Sequence, residues 1–134
     1  MLAPLTEKTT LKLTVKFENV KYSEGQLLVG FYKDQDSWSR RTPFKEVLVS
    51  KAALQDGNLV FELGDMPPGR YGLAVLDDAN GNEIVDFGLV FPKEGFGFSD
   101  YYHNSFRLPR FSDFVFDMET DKIVTVKFRY LKGL

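Results

Sequence analysis

The sequence predicts an all-β fold: an antiparallel β-sandwich of seven or eight strands, immunoglobulin-like or transthyretin-like in type. Three observations lead there. Apolar and polar residues alternate with period two in several short stretches separated by turn signals. Thirteen Phe and six Tyr in 134 residues are an aromatic excess that favours strands. No stretch carries a convincing helical period, and no repeat marks a solenoid or propeller.

Taken in order, Leu11, Leu13, Val15 and Phe17 alternate with Lys12, Thr14, Lys16 and Glu18, giving a strand with one dry and one wet face. Tyr22 to Gly25 is a turn. Gln26 to Lys33 is apolar on both faces and so reads as a central strand. Asp34 to Pro43, with Trp38, Arg40 and Arg41, reads as a loop or short helical turn, and Phe44 to Lys51 as a third strand. Asp56-Gly57 is a hairpin signal ahead of the alternating stretch Asn58 to Leu63. Met66-Pro67-Pro68-Gly69 stops and turns the chain before a central strand, Tyr71 to Leu76. Asp77 to Asp86 is rich in turn residues, and Val85 to Phe91 reads as a short strand. Pro92 to Arg110 reads as one long aromatic loop, and such loops often carry function. Asp113 to Met118 is a short strand, and a last strand turns Val124, Val126, Phe128 and Tyr130 inward.

Two sheets packed face to face bury the dry side of each of these strands; a closed barrel is the alternative. The expected core comprises Leu13, Val15, Val29, Phe31, Phe61, Tyr71, Leu73, Val75, Val126 and Phe128. Residues 1–9 read as an N-terminal leader and residues 10–131 as one domain, long enough to bury about two thirds of the surface its unfolded chain exposes.

Seventeen basic and nineteen acidic residues give a net charge of -2 with no basic stripe, which argues against nucleic acid as a partner. The absence of Cys excludes disulfides, thiolate catalysis and Cys-type zinc sites. No window reaches transmembrane length, so the chain is not expected to span a membrane.

Four constellations could carry chemistry. Asp78, Asn80, Asn82 and Asp86 place oxygen-bearing side chains at alternate positions, as a calcium loop does. The sixth and twelfth positions counted from Asp78 are Glu83 and Leu89, where an EF-hand has Gly and a bidentate Glu. The favoured reading is a type I′ turn at Asn80-Gly81, with no cofactor; any calcium affinity would be weak. Phe91, Phe96, Phe98, Tyr101, Tyr102 and Phe106, with His103 and Asn104, could stack on a sugar or grip a protein. The favoured reading is that they fold back and cap an open end of the sandwich, with Gly95 and Gly97 letting the backbone run close to the core. His103, near Ser99, Asp100 and Ser105, is the one histidine; a surface position is favoured over a triad, and no nucleophile elbow accompanies it. Trp38 beside Arg40 and Arg41 reads as a sugar or anion contact, or as a ring packed on the sheet with Arg stacked over it.

Several of these stretches together resemble a known family. They are Leu11-Lys12-Leu13-Thr14-Val15, Gly25-Gln26-Leu27-Leu28-Val29 with Phe31-Tyr32, and Met66-Pro67-Pro68-Gly69-Arg70-Tyr71. Asp78-Ala79-Asn80-Gly81-Asn82 with Asp86, Glu94-Gly95-Phe96-Gly97-Phe98-Ser99, and Pro109, Phe111 and Phe114 complete the set. In order and spacing the chain resembles the small bacterial proteins of the domain of unknown function 2141 family, departing from its pattern at Asp77 and Glu83. The resemblance implies an exported protein, periplasmic or extracellular, with no established activity. The Pro-Pro-Gly-x-Tyr step is also similar to one in transthyretin-like and carboxypeptidase-regulatory-like sandwiches. The expected function is therefore a non-catalytic envelope domain binding a glycan or a protein at its loops. The ligand contacts would be Trp38, Phe96, Phe98, Tyr101, Tyr102 and His103. A transthyretin-like hydrolase built on His103 and a purely structural envelope protein are the alternatives.

Overall fold

In the computed structural model, residues 10–79, 95–105 and 107–130 are described. Eight strands form two sheets. β1 (Leu11–Glu18) lies between β4 (Leu59–Met66) and β8 (Lys122–Lys127) in a three-stranded sheet. The five-stranded sheet runs β3 (Lys45–Ser50), β2 (Gln26–Tyr32), β5 (Gly69–Asp78), β6 (Phe96–Phe98), with β7 (Val115–Met118) also paired to β5. The all-β sandwich is thus present. All strand pairs are antiparallel except β1 with β8, which run parallel from Leu13 opposite Lys122 to Glu18 opposite Lys127.

Side-chain parity builds the core. Leu11, Leu13, Val15 and Phe17 of β1 face Leu27, Val29 and Phe31 of β2 and Leu73 and Val75 of β5, with Val124, Val126 and Phe128 closing the cluster. Of the expected core residues, Phe61 is the exception: it is only partly buried at the margin of this cluster. Its strand is the outer one of its sheet, and a bulge leaves Leu63 unpaired between Gly64 opposite Leu13 and Glu62 opposite Thr14.

Three expectations need correction. Residues 96–98 of the supposed long loop form β6, paired to Ala74–Leu76 of β5. The short strand expected from Asp113 begins at Val115, because Phe111–Phe114 form a helical turn, α2. Asp56-Gly57 does make a two-residue turn, with both residues at positive φ and Gln55 and Asn58 exchanging hydrogen bonds. The strands on either side of it nevertheless do not pair; the chain passes there from one sheet to the other.

The remaining helix, α1 (Gln35–Ser39), forms because Asp34 caps it: Oδ1 accepts the Ser37 amide hydrogen at 2.8 Å. No helix among the described residues is long and apolar enough to cross a membrane.

The sheets meet along one corner. Phe96 and Arg129 exchange backbone hydrogen bonds at 3.1 and 2.8 Å, and Asp100 N–H reaches the Thr125 carbonyl at 2.7 Å. Glycine permits this approach: a Cβ on Gly97 would sit 2.6 Å from Val126 Cγ1, and one on Gly95 would sit 2.3 Å from the Tyr130 ring. The opposite edges, β3 and β4, pair with no further strand among the described residues.

Candidate functional site

Three groups of polar and aromatic side chains stand out. The first covers the outer face of the five-stranded sheet. There Tyr32, Ala74, Phe96 and Phe98 of the sheet, Trp38 of α1, and Phe111 and Phe114 of α2 form a second buried cluster. Trp38 meets Tyr32, Phe98 and Phe114 edge-on at centroid distances of 5.1, 5.8 and 5.2 Å. Its Nε1–H donates to the Pro109 carbonyl at 2.7 Å, and the Arg41 guanidinium lies 4.6 Å over its ring. Trp38, Phe96 and Phe98, expected as ligand contacts, are therefore interior residues. Stacking a sugar on them would require opening a packed aromatic layer. Phe96 and Phe98 do fold inward, but as residues of β6 within the layer on the outer face of the five-stranded sheet and not as a loop over an open end of the sandwich. Phe91 and Phe106 lie outside the described residues.

His103 is buried in the rim of that layer, not on the surface. The Tyr101 hydroxyl bonds Nδ1 at 3.1 Å, and Nε2 bonds the Arg107 carbonyl. The triad neighbours go elsewhere. Asp100 Oδ1 accepts the Thr125 amide hydrogen at 2.8 Å. Ser99 Oγ accepts from Leu73 N at 2.9 Å and donates to the Phe114 carbonyl at 2.6 Å. His103, Ser99 and Asp100 thus each bond backbone groups around the segment that follows β6.

The second group is a buried polar cluster at the end of the main core. Asp77 is fully buried, continuing the inward parity of Tyr71, Leu73 and Val75. Its Oδ1 pairs with the Lys51 ammonium at 2.5 Å, and its Oδ2 accepts the Tyr130 hydroxyl at 2.5 Å. Burial, with the hydrogen bond to Asp77, raises the Tyr130 hydroxyl pKa above its ordinary value and keeps it protonated. Asp78, the next residue, is also buried, and its Oδ2 accepts Gln26 Nε2 at 3.1 Å. Of the candidate calcium ligands only Asp78 can be located; Asn80, Asn82 and Asp86 lie outside the described residues. Among the described residues no cluster of three or more metal-ligating side chains forms.

Sequence reading missed Lys51, Asp77 and Tyr130 as a group. The signal was available as parity: Lys51 follows Val47 and Val49 on the inward side of β3, as Asp77 follows Val75 on β5. Opposite charges at the ends of two dry faces point to a buried pair.

The third group is the outer face of the three-stranded sheet, which no helix covers among the described residues. Val60 and Ile123 are 61% exposed there, set among Thr14, Lys16 and Lys127. Tyr102, at 47% exposure, stands beside it with the Lys127 ammonium 5.3 Å over its ring. Of the aromatic ligand contacts expected, Tyr102 is exposed and Tyr101 half-buried. A shallow open depression of about 380 Å³ lies along the Asp56-Gly57 turn and contains no aromatic ring.

A family model described as an uncharacterized protein conserved in bacteria, domain of unknown function 2141, matches residues 15–127. The chain belongs to that family. No curated protein and no solved structure matches it.

Proposed function

We propose that this member of an uncharacterised bacterial family is a non-catalytic binding domain that holds a glycan of the cell envelope. Its binding surface is the bare outer face of β4, β1 and β8, with Tyr102 on the rim. One observation carries the reading: the two outer faces of the sandwich are treated differently. That of the five-stranded sheet is covered over β5 and β6 by an aromatic layer and leaves only Leu48, on its edge strand β3, as a large apolar side chain in solvent, whereas that of the three-stranded sheet leaves Val60 and Ile123 exposed with Tyr102 at its rim. Exposed apolar groups gathered beside lysines and threonines suit a ligand with both apolar and hydroxyl faces, and a tyrosine supplies a stacking platform.

The non-catalytic part of the proposal draws on the hydrogen bonds already held by His103 and Ser99, the groups a hydrolase would need free. An immunoglobulin-like or transthyretin-like topology and export to the periplasm or cell surface belong to the same proposal. The resemblance of the sequence supports them, and cell fractionation tests the second. No calcium is expected at Asp78, Asn80, Asn82 and Asp86; a calcium-dependent melting shift that Asp78→Ala abolishes would overturn that part of the proposal.

The deciding experiment measures the purified domain against an array of bacterial envelope polysaccharides and peptidoglycan fragments. The expected result is a saturable ligand whose affinity falls about tenfold or more in Tyr102→Ala, with melting temperature close to wild type. Binding unchanged in both Tyr102→Ala and Lys16→Ala, or no glycan bound by the wild-type domain, would overturn the proposal.

A further inference from the structure

The Lys51 ammonium lies where oxygens from separate parts of the chain converge. The carbonyls of Tyr22 and Glu24 accept from it at 2.9 and 2.6 Å, and Asp77 Oδ1 at 2.5 Å. Three acceptors match the three N–H bonds of an ammonium. The second Asp77 oxygen is fixed by Tyr130, whose own oxygen accepts the Lys21 amide hydrogen at 2.7 Å. None of these groups belongs to β3, which ends at the residue before the lysine. The turn before β2, the end of β5 and the segment after β8 assemble the oxygens; the residue that follows β3 only delivers the charge, on an apolar stem.

We infer that the fold builds a buried site for one small monovalent cation at this end of the sandwich, and that the Lys51 ammonium is its tethered occupant. The class of ligand follows from the donors. One carboxylate and two carbonyl dipoles balance a single positive charge; a divalent ion would leave net charge buried and would seek six to eight oxygens. Acceptors arranged around a nitrogen at hydrogen-bond distance select an N–H donor. A chain shortened at Lys51 therefore takes up a free alkylammonium ion in the vacated space. The inference does not depend on the glycan reading, which concerns a different surface.

The test is rescue of Lys51→Ala by n-propylammonium, which reproduces the atoms removed beyond Cβ. Tetramethylammonium, equally charged but without N–H donors, is the control. In tetramethylammonium chloride the variant is expected to melt about 10 °C or more below wild type. At equal concentration propylammonium chloride should return about 4 °C or more, saturably. Wild type and Lys51→Met, whose side chain refills the space, should melt alike in the two salts. So should the double variant Lys51→Ala/Asp77→Asn, which lacks the anchoring charge. If Lys51→Ala does not accumulate folded, its refolding yield from denaturant in the two salts gives the same comparison. Equal melting temperatures, or equal yields including none in either salt, would overturn the inference, as would an equal rescue of the double variant.

Discussion

Leu73 hands its amide hydrogen to the Ser99 hydroxyl at 2.9 Å, and Ser99 N–H returns a bond to the Leu73 carbonyl at 3.1 Å. Leu73 occupies the one position where the edge of β5 passes between partners: β7 pairs residues 69–72 and β6 pairs 74–76. Ser99 Oγ fills the gap and donates its own hydrogen bond to the Phe114 carbonyl. Ser99→Ala should leave a buried amide and a buried carbonyl short of partners. A loss of about 1–3 kcal/mol is expected in urea denaturation, with faster hydrogen exchange at Leu73. An unchanged midpoint would mean that the ladder closes without the hydroxyl.

Gly97→Ala should destabilise by roughly 1–3 kcal/mol, because the added methyl meets Val126 Cγ1 and the Lys127 carbonyl. Gly64→Ala makes the informative comparison. Its φ is +111° but nothing lies within 4 Å, so any cost there is backbone strain alone. Chemical denaturation of both variants separates crowding from conformation, and a neutral Gly97→Ala would mean that the corner is looser than described.

His103→Ala should cost about 1–3 kcal/mol, since it strands the Tyr101 hydroxyl and the Arg107 carbonyl. This replaces the silent substitution that a surface histidine implies. Thermal melting of His103→Ala beside Tyr102→Ala is the check, with only the first expected to fall appreciably.

Phe128→Ala should lose roughly 3–5 kcal/mol, and Phe61→Ala clearly less, because Phe128 is fully buried while Phe61 keeps part of its ring in water. Equal losses in a denaturant titration would contradict the assignment of Phe61 to the margin.

Alkali should weaken the fold. Burial pushes the Tyr32 hydroxyl up to about 12, and burial with the Asp77 hydrogen bond raises Tyr130 as well. An unfolded tyrosine ionises near 10. Between these values the unfolded chain sheds protons that the folded chain keeps, so the stabilisation is full below pH 10 and is lost as pH rises toward 12 and beyond. The urea midpoint should fall above pH 10, less steeply in Tyr130→Phe. A midpoint flat to pH 12 would refute the shift.

How much of this was legible depends on which interactions are local. The strands showed in the sequence because alternation is a property of neighbours: Leu13, Val15 and Phe17 declare their face without reference to anything else. The Asp56-Gly57 turn showed for the same reason. The destination of Trp38 did not, because its acceptor Pro109 is 71 residues away. β6 was hidden since Phe96, Gly97 and Phe98 are all buried, on a short edge that borders both sheets, so no polar residue marks a wet side. Phe96 and Phe98 looked like ligand contacts because aromatics between glycines read alike whether they face solvent or a second layer.

The parallel run of β1 beside β8 also fixes where the chain can be held. Leu11 and Tyr130 emerge at opposite ends of the pair, separated by about 20 Å of strand. Tension applied between them pulls two neighbours past each other along their length, so the hydrogen bonds between them are loaded together and none is peeled first. Held at those two points, such a domain resists stretching where β1 and β8 pair, and its lifetime under force is set by the rate at which that one pairing gives way.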